Sequence, residues 1–303
     1  MPITVLDTAS GMREVLTAPP AGRPDLLRDL LAPMADMYRY VPGEVDLVAL
    51  HAMCQGFPLD RSTEDVLAAL DRLEAADAWT RVSAALTDAV ELLTGAVPGL
   101  EVPDITVLLV LGDPDDETFM GPARGLNGNG AMTGYIQVTL WPTEENLARL
   151  EAAAVHELHH NLRYAPGGVV WDPATVDVGE HVVSEGLADA FARQLFGNEL
   201  GHTPIGIPHL EDDEVFAHVL TGLDVTGMQN VTAWVLGDPI AERFGGTGVG
   251  VPTGGGYAAG NRLVDAYLAR TGRSAAEALH VPSAQIRAAT PGAAAGSGCA
   301  HGA

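Results

Sequence analysis

Cysteine is nearly missing. Cys54 and Cys299 are the only two in 303 residues, so neither a disulfide framework nor a cysteine-based metal cluster is on offer. Positive charge is scarce too. Sixteen Lys and Arg stand against forty Asp and Glu, a net charge of −24. The basic residues are scattered without a patch, which excludes nucleic-acid phosphates as expected partners. No apolar run reaches the ~18 residues of a membrane span, so no membrane partner is expected. Met1-Pro2-Ile3-Thr4 lacks a basic leader, and the cytoplasm is the expected location. Glycines 121, 125, 128, 130 and 134 are followed by no Gly-Lys-Ser/Thr and do not fit a dinucleotide fingerprint. That run reads as a loop or hairpin, not a nucleotide cradle.

What is present is His156-Glu157-Leu158-His159-His160. On a helix, positions i and i+4 sit roughly 40° apart, so His156 and His160 can turn their imidazoles to one metal ion. Glu157 falls beside that face, where its carboxylate can serve as a general base without ligating. His159 lies off the pair. Thr143-Glu144-Glu145 after Pro142 reads as a helix start, with a hydroxyl cap and carboxylates in the first turn. Leu147, Leu150 and Ala154 carry the helical period into the motif. Two histidines and a glutamate in such apolar surroundings are costly to bury unless something satisfies them, and a divalent cation does so.

A catalytic zinc takes three protein ligands and keeps one position open. A metzincin continuation needs Gly at 163 and His at 166, where the chain has Arg163 and Pro166, so that class is excluded. Residues 182–192 form a second helical stretch with Glu185 and Asp189 at i, i+4. Glu185 is the candidate third ligand. Asp189 is placed to accept the remaining ring N–H of a ligand histidine and fix its tautomer. His181 and Glu180 are rival ligands, and Asp172 and Asp177 weaker ones.

These segments resemble the gluzincin clan of zinc peptidases and, more narrowly, the YjaZ-like family of predicted zinc-dependent proteases. The pieces that match are the strand Gly134–Leu140, the segment Val155–His160, Ser184–Ala188 and Gly256–Gly260. They span roughly residues 100 to 285. The resemblance implies a zincin-like α+β fold with a small mixed or antiparallel sheet, an active-site helix and a mainly helical remainder. It also implies one Zn²⁺ per chain held by His156, His160 and Glu185, with Glu157 as base and Asp189 behind His156.

Ile136, Val138 and Leu140 alternate with Gln137, Thr139 and Trp141, the pattern of a half-buried strand. In zincin-like folds the strand before the active helix is a sheet edge. A peptide or protein substrate is therefore expected to pair along residues 134 to 141. Tyr257, after Gly254-Gly255-Gly256 and at the start of a helical segment 258–269, is the candidate oxyanion donor. His209 and His218 are fallbacks. Helical periodicity also marks 26–38 and 62–94, the latter with Ser62 and Asp65 as a capping box. Short apolar runs at 3–6 and 105–111 read as strands. The expected organisation is a helical region over 1–100, a zincin-like catalytic domain over 101–286, and a disordered Ala/Gly-rich tail over 287–303.

The function read from these signals is hydrolysis of peptide bonds by a zinc peptidase. Two alternatives stand beside it. One is a binding or regulatory protein that keeps the scaffold without catalysis; the other is a metal-dependent amidohydrolase or esterase on a non-peptide substrate.

Overall fold

A computed structural model describes residues 3–40 and 43–289. The expected tail lies outside the described residues from Thr290 onward, as does Cys299. The class is α+β: helix makes up 59% of the structure, against one small four-stranded mixed sheet. The chain divides into two compact units, Met1–Leu92 with Glu101–Ala165, and Leu93–Leu100 with Pro166–Ala303.

The first unit holds the sheet, with strands β1 (Ile3–Val5), β2 (Ile105–Leu111), β3 (Leu126–Asn129) and β4 (Tyr135–Leu140) in the order β1-β2-β4-β3. β1 and β4 run parallel to β2, and β3 runs antiparallel to β4. A strand with parallel neighbours on both sides must be apolar on both faces. Ile105-Thr106-Val107-Leu108-Leu109-Val110-Leu111 meets that demand, and every residue in it but Thr106 is buried. Helices α1 (Thr8–Thr17), α2 (Arg23–Leu31), α3 (Leu47–Met53), α4 (Glu64–Ala75) and α5 (Ala78–Ala96) come between β1 and β2. The four residues of α6 (Glu117–Met120) precede β3, and α7 (Glu144–Arg163) follows β4. Thr8 ties α1 to the sheet by donating its hydroxyl to the Leu109 carbonyl while accepting from the Trp79 indole at 2.8 Å.

Three expectations change here. The helical periodicity over 62–94 is carried by two helices, because Asp77 adopts a left-handed φ of 52° between α4 and α5. At the start of α4, Thr63 holds the cap position with no side-chain bond. The stretch 26–38 is α only to Leu31 and then tightens to a 3₁₀ turn over Ala32–Tyr38, since Pro33 has no N–H to continue the ladder. Most consequentially, β4 is neither half-buried nor an edge. Ile136 through Leu140 are all buried, and β4 lies between β2 and β3. The glycine-rich run before it forms the other arm of a hairpin, so the edge on that side of the sheet is β3, with β1 at the opposite edge.

The second unit is helical. It contains α8 (Val178–Gly201), α9 (Asp213–Gly222), α10 (Met228–Val231), α11 (Asp238–Arg243), α12 (Gly255–Thr271) and α13 (Ser283–Arg287), with a π-helical turn over Thr232–Leu236. α8 and α12 pack face to face across two glycines. A Cβ on Gly186 would lie 2.1 Å from the Gly260 carbonyl oxygen, and one on Gly260 would lie 2.1 Å from that of Val182. Only glycine permits so close a backbone approach.

Candidate metal centre

α7 starts as its sequence demands, with the Thr143 hydroxyl accepting from the Asn146 amide N–H at 3.1 Å. Every residue from Ala154 to Arg163 is buried. His156, Glu157 and His160 are each under 9% exposed, in surroundings where an uncompensated charge is expensive. The i, i+4 spacing brings the two imidazoles together. Their Nε2 atoms are 3.0 Å apart and their rings meet edge to face at 76°.

Two asparagines on α7 bolt the β3–β4 hairpin down. At one end Asn146 donates to the carbonyls of Arg124, Gly125 and Trp141, at 2.8, 3.0 and 2.9 Å. At the other end Asn161 donates to the carbonyls of Gly130, Met132 and Tyr135, at 3.0, 2.9 and 2.7 Å, and accepts from the Gly134 N–H at 2.9 Å. Glu157 sits one turn before Asn161, and the hairpin meets it with glycines. A Cβ on Gly128 would fall 2.1 Å from Glu157 Oε1, and one on Gly130 would fall 2.1 Å from the Glu157 carbonyl oxygen.

On α8, the Asp177 carboxylate caps the helix by accepting from the Glu180 N–H at 2.7 Å, and it accepts from Arg287 at 3.0 Å. Glu185 is partly exposed and precedes the glycine of the α8–α12 contact. Asp189, one turn on, is 1% exposed. Gly197, at φ 77°, breaks the helix. Gly201 then packs its backbone on that of Ala192 and Arg193, which returns the chain to α8. Thr203 is thereby delivered to Asp189, donating its hydroxyl at 2.7 Å and its N–H at 3.1 Å. Asn261 of α12 donates to the same carboxylate at 2.7 Å and to the Tyr257 carbonyl at 3.0 Å. His202 Nδ1 lies 3.9 Å from Asp189. Burial, then Arg193, pulls His202 below its ordinary pKa while Asp189 opposes them.

Among the described residues, one group of candidate metal ligands stands together: His156, His160 and Glu185 each offer a ligand atom, all within 4.8 Å of one another. Four-coordinate zinc with bonds of about 2.0–2.1 Å sets its donors roughly 3.3 Å apart. The imidazole pair is near that separation, and two neutral nitrogens with one carboxylate are a zinc donor set. His159, Glu180, His181, Asp172 and Asp177 do not belong to the group. His181 accepts from the Trp171 indole at 3.4 Å, and Asp172 caps the turn at Ala174 and Thr175.

Tyr257 lies in the first turn of α12, partly exposed, with its Cβ against Gly206. The helix starts at Gly255, three residues earlier than the sequence suggests. Of the fallback donors, His218 bonds the Val249 carbonyl at 2.7 Å and stacks on Trp234, and His209 lies 3.7 Å from Asp212. The sequence reading does not single out Asn161, Thr203 or Asn261, and gives Gly128 only as part of a loop or hairpin. One signal was available, since Asn161 repeats the Glu157 face one turn on.

Two imidazoles and a carboxylate are a donor set consistent with zinc. A protein-family model described as "Predicted Zn-dependent protease (DUF2268)" matches residues 78–288, and the chain belongs to that family. This agrees with the YjaZ-like resemblance of its motifs. "Uncharacterized protein YjfC" of Bacillus subtilis (strain 168) is 37% identical over 147 residues, covering 48% of this chain and 48% of that protein. The chain thus spans about half the length of the curated relative it matches. No solved structure matches. Among the described residues, no helix is long and apolar enough to cross a membrane.

Proposed function

We propose that this chain is a zinc-dependent peptidase in which His156, His160 and Glu185 hold one ion and Glu157 is the general base. The observation that carries the reading is the convergence of those three donors within 4.8 Å, with Glu157 next to the first of them in sequence. Zinc, when bound, supplies Lewis acidity toward a scissile carbonyl and lowers the pKa of water to about 7. Glu157 takes the proton of the attacking water and hands it to the departing amine. Tyr257 donates its phenol hydrogen to the oxygen that gains charge at the reacting carbon. Asp189 accepts the second ring N–H of His156 and holds that imidazole in its ligating tautomer.

The substrate is an extended peptide. Because β4 is paired on both sides, the peptide pairs not along 134–141 but along β3, the one of the two sheet edges that lies against Glu157. The net charge of −24 supports a partner other than nucleic acid.

Two variants test the assignment together. Elemental analysis of purified protein should give about one zinc per chain, lost in His156→Ala. Glu157→Gln should keep the zinc and lose about 10² to 10⁴ of the turnover on a peptide library. Zinc retained in His156→Ala overturns the ligand set, and undiminished hydrolysis in Glu157→Gln overturns the base.

A further inference from the structure

The β3–β4 hairpin does more than cover α7. Its two anchors, Asn146 and Asn161, are 1% and 0% exposed, and between them they donate to six hairpin carbonyls. Asn161 also accepts from the Gly134 N–H, so both ends of its buried amide are bonded and it holds its partners in one place. Between the anchors, Gly128 lies over the Glu157 side chain, where an added Cβ would come within 2.1 Å of Oε1, 2.4 Å of Cδ and 2.5 Å of Cγ. The neighbouring approach at Gly130 is to the Glu157 backbone, so the hairpin cannot slide aside to relieve the first contact.

We propose that Gly128 is a positioning residue for the reaction: the bare Cα of the edge strand, fixed by the Asn161 clamp, sets where the Glu157 carboxylate stands. This rests on the reading of Glu157 as the general base, since a base must stand within hydrogen-bond reach of the proton it removes. A methyl group at 128 forces the carboxylate to swing, because the flexible end of a side chain yields before two clamped backbones do. The three atoms such a methyl group meets first all belong to the Glu157 side chain. The penalty therefore falls on the chemical step.

The test uses the full-length, zinc-loaded chain. Gly128→Ala should lower kcat on a cleaved peptide by about 10²-fold, the cost of misplacing a reacting group by about 1 Å. KM should stay within about twofold and zinc content should be unchanged. A second measurement reads the contact without any activity, as a thermal double-mutant cycle with Glu157→Ala. Gly128→Ala should lower Tm by several degrees in the wild-type background and by roughly 1 °C or less where the Glu157 side chain has been removed. If Gly128→Ala does not fold alone, recovery of folding in the double variant is the same result. Wild-type kcat in Gly128→Ala overturns the proposal, as does an equal Tm loss in both backgrounds. A coupled Tm cycle in a protein that cleaves no peptide overturns the peptidase reading instead and leaves the Gly128 contact standing, so the two failures are told apart.

Discussion

The helix bearing the histidine pair and the helix bearing Glu185 are held in place by different physics. α7 is fixed chiefly by side chains that reach out, with Asn146 and Asn161 gripping the carbonyls of a hairpin and Gly128 meeting the end of a glutamate, and Gly130 alone meeting backbone there. α8 is fixed by the absence of side chains, with Gly186 and Gly260 bringing two backbones together, and then by one buried carboxylate shared among Thr203, Asn261 and the nearby His202. Each helix therefore tolerates different substitutions. A bulkier residue against a flexible side chain shifts that side chain and alters chemistry. One set against a backbone has nothing to push and alters stability.

Gly260→Ala should have the largest effect. Its methyl group meets the Val182 carbonyl oxygen with no side chain to give way, which sets it at the upper end of the about 1–3 kcal/mol that overpacking costs. Denaturant unfolding should show that loss, larger than the loss in Gly128→Ala. Equal losses would mean the two glycine contacts are of one kind.

Next is an acid weakness confined to the first unit. His51 of α3 is 5% exposed, bonds the Phe57 carbonyl at 3.0 Å, and is pushed by burial down to a pKa of about 4. The native ring stays neutral where the unfolded chain, titrating near 6.5, takes up a proton. Stability is therefore unaffected above pH 6.5 and falls as pH drops toward 4, by about 3 kcal/mol in all. Urea unfolding across that window checks it, and His51→Gln, which keeps a donor for Phe57, should flatten that part of the profile.

Smallest is Asn261→Ala, which leaves the Asp189 carboxylate one donor short and should cost about 1–3 kcal/mol. It should also loosen the first turn of α12, because the same amide holds the Tyr257 carbonyl. Hydrogen exchange that quickens at 257–261 while staying unchanged at 128–134 supports the separation of the two regions. Equal quickening in both would erase it.

Much of the candidate site was legible because its signals are local. His156, Glu157 and His160 are one helical turn, and Glu185 stands on a helix with its own acid partner at i+4. The cap at Thr143 and the buried strand at 105–111 are likewise set by adjacent residues. What escaped is long-range. Asn161 reads as an ordinary helix residue until four hairpin groups from 130 to 135 are brought to it. Alternation in 136–141 gives a strand but not its neighbours, and the antiparallel return of 126–129 is what turns an expected edge into an interior strand. Asp77 gives no sequence cue for its left-handed turn, since a break of one residue leaves the apolar period of 62–94 nearly intact.

The brevity of β3 sets a ruler. Four residues at about 3.3 Å each offer a partner chain roughly 13 Å of main chain to read. A guest laid there is gripped over a few residues and then runs off the end. Under the proposed pairing, selectivity comes from what the guest's side chains find beyond the strand, and lengthening the guest past that footprint adds nothing at this border of the sheet.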